Sequence, residues 1–581
     1  VSFELDIQPM LASQGCNAGA CHGKQRGQNG FQLSLLGFDS DFDFDAIARQ
    51  ARGRRISITS PESSLLVRKA TAEMPHGGGR KIEIDSAHYQ MLVSWIRQGA
   101  PRHIADEPTL DAVELATSEF SLKPQGKAHL KVIARYSDGT TRDVTNQTGY
   151  LSNDAAIVSV DQSGRLAAGS LPGETAVMAR YMNRIRVANI SIPRTVRLPL
   201  DFYDNVSRKN FVDDLVFDKL RQLQIRISDP ADESVFLRRV YTDVIGRLPT
   251  AEEARCFLDS EDPDKRRLLV ESLLQQPDYI DHWANQWADL LRPNPYRVGI
   301  KAVLNYDNWI RDQFREGVSY DQFARRLLTA KGSTWHNGAS TLYRDRRSPD
   351  EVATLVSQLF LGVRLECAKC HHHPFEKWSQ HDFYSFAAYF GKVGRKGTGL
   401  SPPISGGEEI VYVSTRGEVK HPVTDEVLKP APLFGSADVD EGSDPREALA
   451  DWMTSTENDF FAKVQVNRVW AQLMGRGIVD PVDDLRSTNP PSNPALLDAL
   501  AKHFQDSGFD QKELIKTIVL SNVYSLSSIP NETNRGDRIN YSRHYRHRLR
   551  AEILSDAVND ITETSESFSG LAPESRANQI W

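Results

Sequence analysis

Four of the five cysteines in this chain of 581 residues form two tight pairs, and each pair is followed at once by a histidine. The first reads CNAGACH, with Cys16, Cys21 and His22. The second reads CAKCHHH, with Cys367, Cys370 and His371. A chain this long can bury several domain-sized cores, and so few cysteines cannot make the disulfide scaffold of a small secreted protein. Only 15 residues are histidines, so chance is a weak explanation for one after both pairs. The constraint is therefore local. Whatever the fold, it has to present each pair of thiols together with its histidine.

Two thiols a few residues apart, with a histidine after the second, are what covalent haem attachment uses. The thiols add to the two vinyl groups of one porphyrin, and the histidine becomes the proximal iron ligand. Cys367 and Cys370 have the standard two-residue spacing. Cys16 and Cys21 have four residues between them, which still lets both thiols reach one macrocycle from a turn opening a helix. The expected cofactor is haem c, in two copies, with His22 and His371 as proximal iron ligands. Met74 and His76, in AEMPHGGG, are the distal candidates at the first site. His76 is preferred, because the three glycines after it let the backbone approach the ring edge. At both sites a disulfide or zinc stays open, zinc more so at the second, since Cys367, Cys370, His371 and His373 make up a Cys2His2 set. Such crowded ligands rarely close a tetrahedron. His544 and His547, in SRHYRHRLRAE, are remote distal candidates there, and an exposed, charge-rich helix is the plainer reading of that stretch.

Periodicity divides the chain. Residues 1–108 read as a small unit framed by two helices. In the second helix Tyr89, Leu92, Val93 and Ile96 recur at helical spacing before Gly99 and Pro101 stop it. From 115 to 194 the period changes to two, with Leu130, Val132 and Ala134 alternating with polar neighbours and Asp138-Gly139 making a hairpin turn, as in a β-sandwich. Residues 200–395 are helical by period and hold the second cysteine pair. Thr250 with Glu253 fits a capping box, Trp283 and Trp287 read as core, and Cys256 reads as a small buried hydrophobe. A Pro- and Gly-rich insert over 396–438 predicts loops or a hairpin, and residues 439–581 are helical again. The 77 acidic and 70 basic residues give a net charge of -7 without a basic stripe, which argues against nucleic acid as a partner. No apolar run approaches the roughly 20 residues of a membrane span.

CNAGACHGKQRGQNGFQLSLLGFD, with KATAEMPHGGG and LVSWIRQGAP, resembles a planctomycete-type cytochrome c domain. LKVIARYSDGTTRDVTNQT with LAAGSLPGETAVMARY is similar to a bacterial Ig-like domain of group 2. FLRRVYTDVIGRLPTAEEA and LFLGVRLECAKCHHHPFEKWSQHDFYSFAAYF resemble the cytochrome-associated domain that usually follows, and VQVNRVWAQLMGRGIVDPVDDLRSTNPPSNPALLDALA with HRLRAEILSDAVNDI resembles its C-terminal companion. The first attachment motif departs from the family in its four-residue spacing. The chain also stops at Trp581, where such C-terminal domains usually continue.

The fold class expected is multidomain and mainly α: a small cytochrome c-like helical domain, an Ig-like β-sandwich and a large two-part helical body. The function expected is electron transfer by an exported dihaem protein, periplasmic or at the cell surface, serving an oxidoreductase reaction in the helical body or a partner. Its partners would be a redox protein or a small-molecule electron carrier, with contact to polysaccharide or a cell surface. Export implies a signal segment ahead of Val1. The competing class is a haem-free extracellular protein that binds polysaccharide or uses zinc for hydrolysis.

Overall fold

The Ser2 hydroxyl accepts the amide of Leu5 (2.9 Å) and caps a wide helical turn, Phe3–Ile7, which runs into α1 (Gln8–Ser13). Helices α2 (Ser40–Ala48), α3 (Leu65–Ala70) and α4 (Ala87–Arg97) follow. Asp39 caps α2 through the amide of Phe42 (2.9 Å) and Ser86 caps α4 through that of Tyr89 (3.2 Å), each worth about 1 kcal/mol. The predicted stripe of Leu92, Val93 and Ile96 is buried with Trp95 between them. Phe3 packs against both Phe44 and Trp95, with ring centres 5.3 and 5.5 Å apart, and these rings centre the helical core.

These helices belong to a computed structural model that describes all residues except 25, 196, 200, 374, 398–406, 569–570, 573–574 and 581. The chain divides into two units. The first comprises Val1–Thr195 with Cys370–Ser379 and Arg486–Asn489; the second comprises Val196–Lys369, Gln380–Leu485 and Pro490–Trp581.

In the first unit, ten strands follow α4: β1 (Leu110–Leu115), β2 (Glu119–Ser121), β3 (Lys127–His129), β4 (Val132–Tyr136), β5 (Thr141–Asp143), β6 (Gly149–Ser152), β7 (Val158–Val160), β8 (Arg165–Ala168), β9 (Gly173–Tyr181) and β10 (Arg184–Ile192). The Asp138-Gly139 turn joins β4 to β5 as the sequence predicts, with Gly139 at φ +77° and Ala134 opposite Arg142. The longest pairing is antiparallel β9–β10, in register from Tyr181 opposite Arg184 to Gly173 opposite Ile192.

The expected class, with a separate cytochrome c-like domain and an Ig-like sandwich beside a helical body, is corrected here. The strands form three small sheets, β1-β4-β5, β2-β10-β9-β6 and β3-β8-β7, and they share one unit with the N-terminal helices. Leu5, from the first helical turn, is buried in the same apolar cluster as Val132, Ala134 and Ile190. The Tyr181 hydroxyl donates to the Leu5 carbonyl (3.1 Å) and meets the Tyr136 hydroxyl at 2.9 Å. The reason is physical. Period-two alternation reports that a strand has one covered face, but not what covers it.

The second unit is predominantly helical. The stretch predicted helical by period opens with a helix over Phe211–Leu223, whose Val216 and Leu220 are buried. Thr250 and Glu253 make the predicted capping box of Ala251–Asp259. Trp283 and Trp287, each 2% exposed, are core, and the Trp283 indole donates to the Val244 carbonyl at 3.1 Å. Cys256 departs from expectation: it is exposed, because this helix buries only Phe257. Within the predicted insert 396–438, Glu409–Val413 pairs with Val393–Gly397, and Val419–Lys420 pairs with Val427–Leu428; residues 398–406 lie outside the described residues. Among the described residues no helix is long and apolar enough to cross a membrane.

Candidate functional site

After α1 the chain folds back on itself and carries the first cysteine pair in a closed loop. The Cys16 amide donates to the Leu11 carbonyl (2.9 Å), Cys21 to Ala18 (2.9 Å) and His22 to Cys16 (3.0 Å). The last of these bonds returns the histidine to the first cysteine, so the loop absorbs the longer spacing. From the other side, the Leu33 amide donates to the His22 carbonyl at 2.9 Å. Gly23 is required by close approach, since a Cβ there would lie 2.0 Å from the Asn17 carbonyl oxygen. Gly23→Ala is expected to cost about 1–3 kcal/mol, because only backbone movement in the His22 loop relieves the overlap. A urea midpoint unchanged from the parent would contradict this.

The imidazole of His22 is fixed from behind. Its Nδ1 lies 2.9 Å from the Phe31 carbonyl oxygen, and its ring centre is 4.5 Å from that of Phe31. Phe31 is held in turn by the buried Arg55, whose guanidinium sits 4.6 Å over the ring and donates to the carbonyls of Ala46 (2.6 Å) and Gly30 (2.8 Å). His76 is fixed in the same manner. Its Nδ1 lies 2.8 Å from the Gly79 carbonyl oxygen, while the Gly79 amide donates back to the His76 carbonyl at 3.0 Å. Gly79 has φ +68°, so the glycines serve to turn the loop back onto the imidazole.

The two imidazole rings lie near each other, with centres 6.2 Å apart and planes inclined by 8°. A carbonyl oxygen only accepts, so both rings carry a proton on Nδ1, and in the neutral form of either it is Nε2 that holds the lone pair. Burial lowers the pKa of His22, with the Phe31 carbonyl opposing and His76 and Arg55 adding to the fall, which keeps the ring neutral. Burial also pushes the Cys16 thiol up to about 12, so it stays a thiol at neutral pH. Of the two distal candidates His76 meets His22. Met74 opens the same loop, its amide bonded to the Arg68 carbonyl at 3.0 Å.

The donor set suits a haem. It has two thiols for the vinyl groups, Cys16 and Cys21, and two imidazoles, His22 and His76, that would hold the iron. Asn17, between the two cysteines, is fully buried, and neither side-chain atom has a hydrogen-bond partner among the described residues. An unpaired buried amide costs about 1–3 kcal/mol, which a polar group brought by a ligand would offset.

The second cysteine pair is less enclosed. Cys367 and Cys370 are exposed, and a short helical turn spans Leu365–Lys369. His371 directs Nδ1 to the His372 carbonyl oxygen (2.7 Å), and the rings of His371 and His372 lie 6.2 and 5.2 Å from that of Phe38. His373 is buried; its Nδ1 accepts the Phe375 amide at 3.2 Å, and its own amide donates to the Trp378 carbonyl at 2.8 Å. Among the described residues no three His, Cys, Asp or Glu side chains form a metal-holding group.

The stretch around His544 is not the exposed helix that charge patterning suggests. His544 is 5% exposed, and helix begins only at Ala551. It belongs to a buried polar group in the second unit. The Tyr524 hydroxyl donates to Asp243 Oδ2 (2.8 Å), His547 Nε2 lies 4.0 Å from Asp243 Oδ1, and Arg239 donates to the Leu526 carbonyl (3.1 Å). Positions 239–243 and 524–547 are nearly three hundred residues apart in sequence, and no local signal joins them.

Residues 211–395 match the PSCyt2 family, described as a protein of unknown function (DUF1549), and residues 445–578 match PSD1, described as a protein of unknown function (DUF1553). The chain therefore carries these two domains in that order. No cytochrome c or Ig-like domain family matches. Over 89 residues it is 37% identical to an S-layer-related protein of Niallia circulans, a stretch that is 15% of this chain and 5% of that protein. Surface layer protein SbsC, domains 1-6, is similar over 18% of this chain and 15% of the solved one, at 18% identity and a TM-score of 0.14. Its domains 4-9 are similar over 22% and 18%, at 16% identity and the same TM-score.

Proposed function

We propose that the chain is an exported electron-transfer protein in which Cys16 and Cys21 would attach haem c and His22 and His76 would hold its iron. The observation that carries this reading is the imidazole pair, near-parallel and 6.2 Å apart, with both Nδ1 atoms tied to carbonyls. Such ties fix the tautomer and the ring orientation of a metal-binding histidine. When bound, haem supplies reversible one-electron transfer at its iron, and two imidazoles favour a lower potential than a histidine with a methionine. The protein's own part is to hold the two rings still, so that little reorganises when the charge changes. Arg55, through Phe31 and Gly30, supplies much of that rigidity on the His22 side.

Cys367, Cys370 and His371 extend the reading to a second haem on the strength of their spacing. A redox protein or small-molecule electron carrier would be the partner. The name of the S-layer-related relative, with its 37% identity over 89 residues, supports a cell-surface or extracellular location.

The test is expression in a host with cytochrome c maturation, followed by intact mass and a pyridine haemochrome spectrum of the denatured chain. Two added haems are expected, falling to one in Cys16→Ala/Cys21→Ala, because thioether bonds survive unfolding. A mass equal to the bare chain, or to the chain less the protons of two disulfides, removes the proposal.

A further inference from the structure

The helix Asp459–Met474 ends at Gly475, φ +79°, and the chain just beyond it closes with the irregular stretch 528–546 around a cavity of about 500 Å³. Its charged lining is one-sided: Arg476, Arg538, Arg543 and Arg546 against a single carboxylate, Asp480. Asp480 is bonded to Arg476 at 3.1 Å. Among the described residues the other three arginines form no ion pair. Asp537, adjacent in sequence to Arg538, forms no ion pair with them among the described residues. Its oxygens accept the amides of Ile539 and Asn540 (3.3 and 3.0 Å), the amide and hydroxyl of Ser542 (3.2 and 2.5 Å) and the Tyr545 hydroxyl (3.0 Å).

The guanidinium groups are nonetheless held in position. Arg543 donates to the Asp537 carbonyl (3.2 Å) and lies 5.3 Å over the Tyr545 ring, while its Nε is buried without an acceptor. Arg546 donates from Nε to the Ser528 hydroxyl at 3.0 Å. Arg538 is exposed and its side chain makes no hydrogen bond among the described residues. Three arginines without an ion pair among the described residues thus gather around one cavity in a chain whose net charge is -7. Guanidinium forks match oxyanions in shape, and a buried N–H without an acceptor costs free energy until one arrives. Three forks also offer more donors than the two oxygens of a carboxylate take up, which favours a tetrahedral anion.

We infer that this cavity binds the phosphate or sulfate monoester group of a small molecule, with Arg538, Arg543 and Arg546 as its donors. The inference is independent of the haem reading. To test it, the full chain is titrated calorimetrically with inorganic phosphate, inorganic sulfate and acetate, each at constant ionic strength set with chloride. Saturable binding of one equivalent of phosphate or sulfate is expected, and the tighter of the two identifies the ester class. Arg538→Gln should weaken it at least about tenfold without moving the melting temperature of the ligand-free protein, because that side chain is exposed and unbonded. Arg538→Gln/Arg543→Gln should abolish it. Failure of both anions to bind above chloride, acetate binding as tightly as either, or Arg538→Gln binding like the parent would each overturn the assignment.

Discussion

In the haem-loaded protein, His76→Ala is expected to convert the first site from low-spin to high-spin iron, while Met74→Ala leaves the low-spin spectrum nearly unchanged. The expectation rests on which side chain is already placed. The His76 ring is parallel to that of His22 within 8°, and its Nδ1 is tied to the Gly79 carbonyl, so the ring is already ordered beside His22 and loses little side-chain freedom on binding iron. Met74 is fixed at its backbone, through the Arg68 carbonyl, at the start of the loop whose turn holds His76. Loss of the second imidazole removes a strong-field ligand, and water in its place leaves the iron high-spin. The protein without haem offers a second readout. Both Nδ1 protons are hydrogen-bonded to carbonyls, so nitrogen NMR of the apoprotein should report the Nδ1–H tautomer at His22 and His76. A methionine-to-iron charge-transfer band in the oxidised protein, absent from Met74→Ala, would show that the ligand is Met74.

Much of this site was legible in the sequence because its parts are short and local. Cys16, Cys21 and His22 sit in one loop, and MPHGGG lies between two recognisable helices. The glycines pointed to His76, although they act by turning the loop so that the Gly79 carbonyl meets Nδ1, not by clearing space for a ring edge. Helix positions were equally legible where an apolar stripe runs up to a stop signal, as with Leu92, Val93 and Ile96 before Gly99 and Pro101. What was not legible is partnership across the chain. Nothing in the alternation of Leu130, Val132 and Ala134 says that Leu5 will lie in the same core, or that the strands will split into three sheets. For the same reason the segments Cys370–Ser379 and Arg486–Asn489 read as parts of helical regions, yet they belong to the unit of residues 1–195. Charge patterning fails in a similar way near His544. A run of arginines and histidines looks like a solvated face until Tyr524 and Asp243, distant in sequence, are found packed around it.

That buried group carries the second large expectation: Asp243→Asn should remove a pH dependence of stability amounting to about 3 kcal/mol between pH 5 and pH 8. Asp243 is 4% exposed, and burial pushes its carboxyl up from 3.8 to about 7. The Tyr524 hydroxyl, Thr242, Arg239 and Arg238 all pull the other way and lose to desolvation. His547, at 4.0 Å, does not supply a compensating charge, because burial lowers its own pKa as well. The folded pKa lies above the unfolded one, so between them the native state holds more protons, and stability falls as pH rises. The protonated carboxyl's contribution is complete below about pH 4 and is lost as pH climbs through 7. Glu253 has the opposite sign, since Arg247 holds its carboxyl down to about 2, and its contribution is lost only as pH falls through that value. Its window lies below pH 5, outside the comparison. An asparagine keeps the size of the side chain and still accepts the Tyr524 hydroxyl, but it has no charge to bury. Urea unfolding of parent and Asp243→Asn at pH 5, 6.5 and 8 should therefore show the variant gaining on the parent steadily with pH. A difference between the two that does not change with pH would mean that Asp243 is ionised throughout, with Arg239 and Tyr524 compensating its burial in full.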